Sequence, residues 1–344
     1  MDIGKNSWER TWSAKLSLRI AIFILALLAL LAAMFLAISY GAKELSISVI
    51  WTAVFQYDAT LTSHQVIHEL RLPRVIGAAV VGAAFAVAGA LMQGVTRNPL
   101  ADTGILGVNA GATFVVALCF AFAPNMPYLG LIGCSFAGAM ISTIFIFAIG
   151  SRVPGGMTPL RLTIAGSVVA AMLGAISTGI AIYYDLSQDL AFWFSGGVAG
   201  IKWLHLKLLV PIIIAALLLT FALSRTISLL SLGEEVAVNL GGRIKRARIL
   251  AITAGVILAG VSVSAAGSIS FVGLVIPHIV RKLIGVDYRG IIPLSAILGA
   301  ILLVLADLAA RMVNPPREFA LSAMVALLGV PFFLYLARKE KRNL

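Results

Sequence analysis

Long apolar runs fill the chain from residue 20 onward, and short polar stretches separate them. A bilayer core is roughly 30 Å thick and a helix rises about 1.5 Å per residue, so a run of about 20 apolar residues predicts a membrane-spanning helix. Because the runs are continuous rather than alternating, the pattern excludes a transmembrane barrel. We predict ten spans, at residues 20–40, 74–95, 106–123, 129–150, 160–183, 205–224, 248–266, 269–284, 291–313 and 319–337.

Two segments between the spans predict structure other than a crossing. Residues 47–55 are apolar but too short to span, so we expect them to lie along the membrane interface. Residues 186–205 combine aromatic side chains with Gly196 and Gly197. Aromatic residues favour the interface and glycines permit a sharp turn, which predicts a short helix that folds back over the mouth of the protein.

The longest charged interruption lies at residues 225–248. Ser231 followed by Glu234 is a capping-box pattern and Gly241 can end a helix, so a helix of about nine residues is predicted at 232–240. This helix is too short to span the bilayer. Its apolar face needs a groove, either in this protein or in a partner.

Small residues recur every fourth position in the second span, a pattern that lets another helix approach closely in lipid. We favour packing within one subunit over a dimer interface. The stripe consists of Ala78, Gly82, Ala86, Ala90 and Gly94.

Composition and charge agree with many crossings. The chain is 60% hydrophobic and 12% charged, which excludes an ordinary soluble domain. Its net charge is +12, and with the N-terminus in the cytoplasm 19 of the 26 basic residues fall inside and seven outside. Positive charge concentrates in cytoplasmic loops of membrane proteins. We therefore predict an all-α polytopic membrane protein with about ten transmembrane helices and both termini cytoplasmic.

The sequence carries no motif for catalysis or energy conversion. It contains no phosphate-binding loop, no metal-ligand cluster and no nucleophile with a plausible base, so no catalytic residue, cofactor or metal is predicted. Cys119 and Cys134 lie in apolar runs and are interpreted as packing residues. Asp307 and His278 lie within spans, and a structural role is favoured for both over a proton relay.

Three arginines on the outer side oppose the general charge bias: Arg71, Arg74 and Arg311. They are either solvated or facing lipid phosphates, or they dock an acidic external partner, because a guanidinium pairs well with carboxylates.

The fifth span carries small and hydroxyl side chains on one helical face. They line either a weakly polar translocation path or a packing seam, and the periodicity fits both. These residues are Thr163, Ser167, Ala170, Gly174 and Ser177.

Seven segments, in one order along the chain, carry a resemblance to a known family. They are RLPR at 71–74, GALMQGVTRNPLAD at 89–102, GILGVNAGA at 104–112, SLGEE at 231–235, FVGLVIPHIVR at 271–281, LADLAAR at 305–311 and GVPFFLYL at 329–336. Together they resemble the FecCD-type permeases of ABC importers for iron-siderophore complexes and cobalamin. The chain departs from the family pattern, which often has proline at Thr103, Ser268 and Ala320 and glycine at Ser322.

The resemblance implies one transmembrane permease domain over residues 1–344, in the plasma (inner) membrane of a bacterium. It implies a second permease subunit, identical or related, two cytoplasmic ATPase subunits and an extracellular or periplasmic substrate-binding protein. The path would follow the interface between the two permeases. Membrane lipid is expected as a further partner, and nucleic acid is not.

The resemblance also implies roles for individual residues. The binding protein would dock on Arg71, Arg74 and Arg311. A segment coupled to the ATPase would contain Ser231, Gly233, Glu234, Glu235 and Gly241. An inner gate would form from Asn98 and Leu100 between spans two and three, and from Thr158 and Pro159 between spans four and five.

The leading functional hypothesis is a non-catalytic permease subunit that translocates an iron-siderophore complex by alternating access. Import of cobalamin or haem by the same type of permease is an alternative. An ion-coupled secondary transporter is a further alternative from another class, and it predicts transport by this chain alone along an ion gradient.

Overall fold

The computed structural model describes residues 3–41, 45–152, 159–231, 233, 244–315 and 317–340, and these residues contain helices but no β-strand. The first helices are α1 (Ile3–Ser39), α2 (Ile47–Phe55), α3 (Thr62–Gln65), a π-helical segment (Val66–Arg71) and α4 (Leu72–Thr96). A 3-10 turn (Thr103–Leu106) precedes α5 (Val108–Phe122), α6 (Tyr128–Arg152), α7 (Pro159–Tyr183), α8 (Ser187–Ser195) and α9 (Trp203–Ser231). The last helices are α10 (Ile244–Ala266), α11 (Val272–Ile284), α12 (Tyr288–Met312) and α13 (Leu321–Glu340).

The prediction of an all-α chain with several membrane-spanning helices is confirmed for the described residues. Seven helices are long and apolar enough to cross a membrane: Ser17–Ser39, Thr62–Thr96, Tyr128–Gly150, Arg161–Tyr183, Trp203–Ser231, Arg246–Ala266 and Tyr288–Met312. Val108–Phe122 and Leu321–Leu334 form shorter apolar helices. Each of the ten predicted spans falls on one helix, but the count of ten crossings remains a prediction.

Two helices do not end or begin at the predicted span edges. Helix α9 continues to Ser231, past the predicted edge at residue 224. Polar residues outside lipid can remain helical when their backbone stays hydrogen-bonded, and the Ser228 hydroxyl also donates to the Ser224 carbonyl oxygen at 3.1 Å. Helix α11 begins at Val272, after the predicted edge at residue 269, because Phe271 adopts a left-handed backbone with φ of 71°.

The apolar segment at 47–55, expected to lie along the interface, forms helix α2. Helix α2 buries Ile50 and exposes Ile47, Trp51 and Phe55, each by more than 60% of its surface. This exposed apolar face fits the expected position along the interface. The predicted helix at 232–240 lies outside the described residues.

Helix α4 occupies the centre of the bundle and packs against α9, α10, α11 and α12. Its stripe of small residues is buried within this chain, with Ala78, Ala86 and Ala90 fully inaccessible. The interpretation of the stripe as packing within one subunit is therefore confirmed.

Two pairs of glycines bring backbones together around α4. A Cβ on Gly82 would lie 2.3 Å from the carbonyl oxygen of Gly299 in α12. A Cβ on Gly89 would lie 2.1 Å from the carbonyl oxygen of Gly273 in α11. No side chain fits at either position, so the close approach of these three helices depends on glycine.

We expect Gly89→Ala to lower the thermal stability of the purified protein, because its methyl group would collide with a backbone that cannot rotate away. Overpacking a well-packed interior costs about 1–3 kcal/mol. The control is Gly179→Ala in α7, where a Cβ has no neighbour within 4 Å. Melting temperatures in detergent check the prediction, and equal values for the two variants would contradict it.

Candidate functional site

One ion cluster closes the end of the bundle at which α4 begins, here termed the Arg74 end. The Arg74 guanidinium donates from Nε to both carboxylate oxygens of Asp307, at 3.1 and 3.0 Å, and from Nη2 to Oδ1 at 2.8 Å. It also donates from Nη1 to Oε1 of Glu318 at 2.7 Å and from Nη2 to Oε2 at 2.9 Å. The side chains of Arg74 and Asp307 are 13% and 2% exposed, and that of Glu318 is 45% exposed.

Arg311 extends the cluster to the end of α1. Its Nε lies 3.2 Å from Oδ2 of Asp307, one helical turn earlier on α12. Its Nη2 donates to the Ala37 carbonyl oxygen at 3.1 Å and its Nη1 to that of Tyr40 at 3.4 Å. Carbonyl groups at a helix C-terminus lack partners within the helix and carry partial negative charge, so a guanidinium there is stabilising.

Arg71 binds the same helix end. Its Nη1 donates to the carbonyl oxygens of Ile38 and Ser39, at 2.5 and 3.0 Å. The π-helical segment that ends at Arg71 leads directly into α4, with Pro73 in the first turn. Arg71 thus turns towards α1 while Arg74, three residues later, turns towards α12.

The three predicted docking arginines are therefore brought together, but not as free charges. The alternative of a solvated or lipid-facing role is wrong for Arg71 and Arg311, because both are more than 90% buried. Asp307 pairs with Arg74 and Arg311, which fits the structural role favoured for it. Sequence reasoning missed Glu318, and the only available signal was its position just before the tenth predicted span.

The Glu318 carboxyl remains charged at neutral pH. Hydrogen bonds from Arg74 hold the pKa of this carboxyl below its ordinary value, against the smaller opposing effect of partial burial. Glu318 lies in the turn between α12 and α13, described at residues 313–315 and 317–320. In this turn the Phe319 amide donates to the Ala310 carbonyl oxygen at 2.9 Å.

A cavity of 380 Å³ adjoins the ion cluster. Its lining includes Arg74, Asp307 and Glu318 together with Trp193 and Gly196. The predicted short helix is confirmed here as α8, which ends where Gly196 adopts a φ of 70°. Helix α8 and its following glycines thus form a wall of the cavity.

Two departures from the family pattern make hydrogen bonds that the usual residues cannot make. The Ser322 hydroxyl donates to the Ser195 carbonyl oxygen at 2.7 Å and ties α13 to α8. Glycine has no hydroxyl for this contact. The Thr103 amide donates to Oδ1 of Asp102 at 2.8 Å, and proline has no amide hydrogen.

A third departure, Ser268, also makes a hydrogen bond that the usual proline cannot make. The Ser268 hydroxyl accepts a hydrogen bond from Nδ2 of Asn109 at 2.9 Å. The Ala320 carbonyl oxygen accepts from the amides of Ala323 and Met324 at the start of α13. These backbone hydrogen bonds do not involve the Ala320 side chain, so the local geometry leaves the choice of alanine unexplained.

The first half of the predicted inner gate forms a tight turn at the opposite end of the bundle, here termed the Asn98 end. Asn98 is exposed, and its Oδ1 accepts from the Leu100 amide at 2.9 Å. Leu100 is half-buried. Thr158 lies outside the described residues and Pro159 begins α7, so the contact between the two halves of the gate stays a prediction.

The predicted ATPase-coupling residues begin where α9 ends at the Asn98 end. The Ser231 hydroxyl donates to the Ser228 carbonyl oxygen at 2.7 Å, and Gly233 has a φ of 126°. The Ser228 hydroxyl contacts Oδ1 of Asp287 at 3.1 Å and accepts from the Tyr288 amide at 2.9 Å. These contacts fix the end of α9 to the start of α12. The remaining coupling residues, Glu234, Glu235 and Gly241, lie outside the described residues.

The predicted translocation stripe on α7 lies at a boundary between exposed and buried faces. Ser167 is exposed and Ser177 is buried, and both hydroxyls donate to carbonyl oxygens of their own helix. Thr163, Ala170 and Gly174 are half-buried. The structure therefore leaves both the path and the packing seam open.

Sequence reasoning also missed a buried polar cluster at the Asn98 end. Gln93 of α4 is 3% exposed and donates from Nε2 to the Gly273 carbonyl oxygen at 3.0 Å. Its Oε1 accepts from Nη2 of Arg281 in α11. Within the described ranges no three His, Cys, Asp or Glu residues lie together as metal ligands.

Comparison with known proteins identifies relatives over the whole chain. The model of the FecCD transport family matches residues 26–339. The chain is 48% identical over 343 residues to the iron(3+)-hydroxamate import system permease protein FhuB of Bacillus subtilis, covering 100% of this chain and 89% of that protein. It is 42% identical over 328 residues to the Fe(3+)-citrate import system permease protein YfmD of the same organism, covering 95% and 97%.

A solved structure agrees with this similarity. It is described as a metal-chelate type ABC transporter in an inward-facing conformation, with a TM-score of 0.82 and 28% identity. The match covers 93% of this chain and 99% of that chain.

We expect Asp307→Asn to destabilise the protein far more than Glu318→Gln, although both changes remove one carboxylate charge. The first leaves two buried arginines without their carboxylate and should cost about 3–5 kcal/mol. The second removes a half-exposed ion pair, typically worth about 0–1 kcal/mol. Melting temperatures of the purified variants check this, and a larger loss for Glu318→Gln would refute the ranking.

Proposed function

The chain belongs to the FecCD transport family, and we propose that it is the membrane-spanning permease subunit of an ATP-driven importer that carries an iron(III)-siderophore complex into a bacterial cell. The family match over residues 26–339 carries this proposal. The 48% identity to an iron(3+)-hydroxamate permease supports a hydroxamate siderophore as the substrate class. Cobalamin or haem remains the alternative cargo.

An ion-coupled mechanism is less compatible with the contacts of Asp307. This carboxylate neutralises two arginines, Arg74 and Arg311, and is 2% exposed. Protonating it would leave both guanidinium groups without their buried counterion, which is strongly destabilising. These contacts support a role of Asp307 in helix packing rather than in a proton relay. The proposed energy source is a separate ATPase.

The proposed topology has ten crossings and both termini in the cytoplasm of a plasma-membrane protein. Helix contacts support a common side for the start of the first span and the end of the last span. Arg19 near the start of the first span donates to the Ile284 carbonyl oxygen at 3.0 Å, and the Lys282 ammonium lies 5.9 Å from the centre of the Phe332 ring in α13. These contacts lie at the Asn98 end, which we assign to the cytoplasm. The Arg74 end then faces outward.

The partners follow from this orientation. A second permease subunit, identical or related, completes the path, and the stripe on α7 is its proposed lining. Two ATPase subunits bind the segment that follows Ser231. A substrate-binding protein docks at the Arg74 end, where Arg74 offers the most accessible of the three guanidinium groups, while Arg71 and Arg311 hold α1 in place.

The fixed contact between α9 and α12 supports a route for coupling. Ser228 and Asp287 join these helices at the Asn98 end, and Asp307 lies at the other end of α12. A displacement of the coupling segment would reach the start of α12 together with the end of α9. Because α12 is one continuous helix, the same displacement reaches the Arg74 end.

Reconstitution tests the proposed function. Proteoliposomes that contain this chain, its partner permease and the ATPase should accumulate radiolabelled iron(III)-trihydroxamate when ATP and the binding protein are supplied. A catalytically inactive ATPase is the control and should abolish uptake. Accumulation by this chain alone along a proton or sodium gradient would overturn the proposal.

We expect Glu234→Lys combined with Glu235→Lys to prevent co-purification of the ATPase, because the reversed charges would lie in its proposed binding segment. Insertion into the membrane should remain normal. The control is Glu69→Lys, which reverses an exposed carboxylate at the Arg74 end. A normal yield of the ATPase with the double variant, measured by affinity purification, would remove these residues from the coupling role.

A further inference from the structure

The two acids bound to Arg74 differ in how firmly they are held. Asp307 contacts both Arg74 and Arg311 and is almost completely buried. Glu318 lies on a connecting turn and has a side chain that is 45% exposed. It contacts the Nη1 and Nη2 atoms of the same guanidinium, here termed its outer edge. A half-exposed ion pair is weak and can exchange with other charges, whereas breaking the buried pair is strongly unfavourable.

Glu318 occupies the donors that any incoming carboxylate would need. A guanidinium has five N–H groups, which favour two parallel bonds to a carboxylate. In Arg74, Nε and one Nη2 hydrogen serve Asp307, while Nη1 and Nη2 serve Glu318. A carboxylate from another protein can therefore form two hydrogen bonds to Arg74 only after Glu318 has left.

The local charge favours such an exchange. Three arginines and two acids form the cluster, so it carries a net charge of about +1 with Glu318 in place. Departure of Glu318 leaves one carboxylate, Asp307, for three guanidinium groups. Glu318 reaches water easily because it is already half-exposed, and an acidic surface can then restore the lost charge.

The position of Glu318 connects this exchange to the cavity. Glu318 belongs to the turn between α12 and α13 and lines the same cavity as Trp193. Just beyond this turn, the Ser322 hydroxyl donates to the Ser195 carbonyl oxygen at the end of α8. The turn therefore contacts Arg74 directly and is joined to the cavity wall through the first turn of α13.

We propose that Glu318 is an internal competitor that occupies Arg74 until a carboxylate of the external binding protein replaces it, and that this replacement releases the α12–α13 turn beside the cavity. The proposal rests on the function proposed above. It assigns the docking contact to the outer edge of Arg74 and leaves the Arg74–Asp307 pair intact. The partner surface must present a carboxylate.

The affinity of the binding protein tests the competition. We expect Glu318→Gln to tighten binding by about threefold to fivefold, the range that loss of a weak competing ion pair allows. The complete transporter in nanodiscs and the purified binding protein are the reagents. Glu69→Gln is the matched control, since it removes an exposed carboxylate from the same end without touching Arg74 and should change affinity less.

Salt dependence separates competition from a merely structural effect. In the wild-type protein, docking exchanges one ion pair for another, so the dissociation constant should change little with salt. In Glu318→Gln, docking adds an ion pair, so binding should weaken more steeply as salt rises. Hydrogen exchange without the binding protein should also be faster in the α12–α13 turn of this variant and unchanged in α4.

The outcomes distinguish this inference from the function on which it rests. Failure of the wild-type transporter to bind any external protein would contradict the proposed function. Normal wild-type binding with equal or weaker affinity for Glu318→Gln, or with the same salt dependence, would overturn the competition. Unchanged hydrogen exchange in the turn would overturn its release.

Discussion

The buried ion pair between Arg74 and Asp307 is the constraint on which the Arg74 end depends. Both side chains have lost most of their water, and a pair of this kind is favourable only when its geometry is good and its remaining hydrogen-bonding groups are satisfied. The contacts of Arg311 with Asp307 and of Arg311 and Arg71 with α1 satisfy this requirement. One polar network therefore sets the positions of α1, α4 and α12 within an otherwise apolar bundle.

The sequence predicted most of the helices because lipid imposes a simple length and polarity on each crossing. It predicted their ends less well, since helix α9 leaves the apolar run and continues to Ser231 on its own hydrogen bonds. The arginines at 71, 74 and 311 were identified, but Glu318 was not. Arg74 and Asp307 are 233 residues apart, and a single sequence has no local pattern that reports such a pairing.

The two ends of the bundle use polar groups differently. At the Arg74 end, full charges pair beside a cavity and one of them, Glu318, stays within reach of water. At the Asn98 end, Gln93 and Ser228 bind backbone groups and neighbouring side chains, and thereby fix helices to each other. The first arrangement suits a contact that must form and dissociate, and the second suits the transmission of a displacement.

The glycine contacts of α4 restrict how this bundle can deform. Side chains that interdigitate can repack when helices shift, but bare backbones that touch at Gly82 and Gly89 have no rotamers to change. Helices α4, α11 and α12 therefore have to travel as a single rigid body. Helix α10 contacts both α4 and the neighbouring helices α5 and α6, so a large rearrangement must occur by hinge rotation along α10.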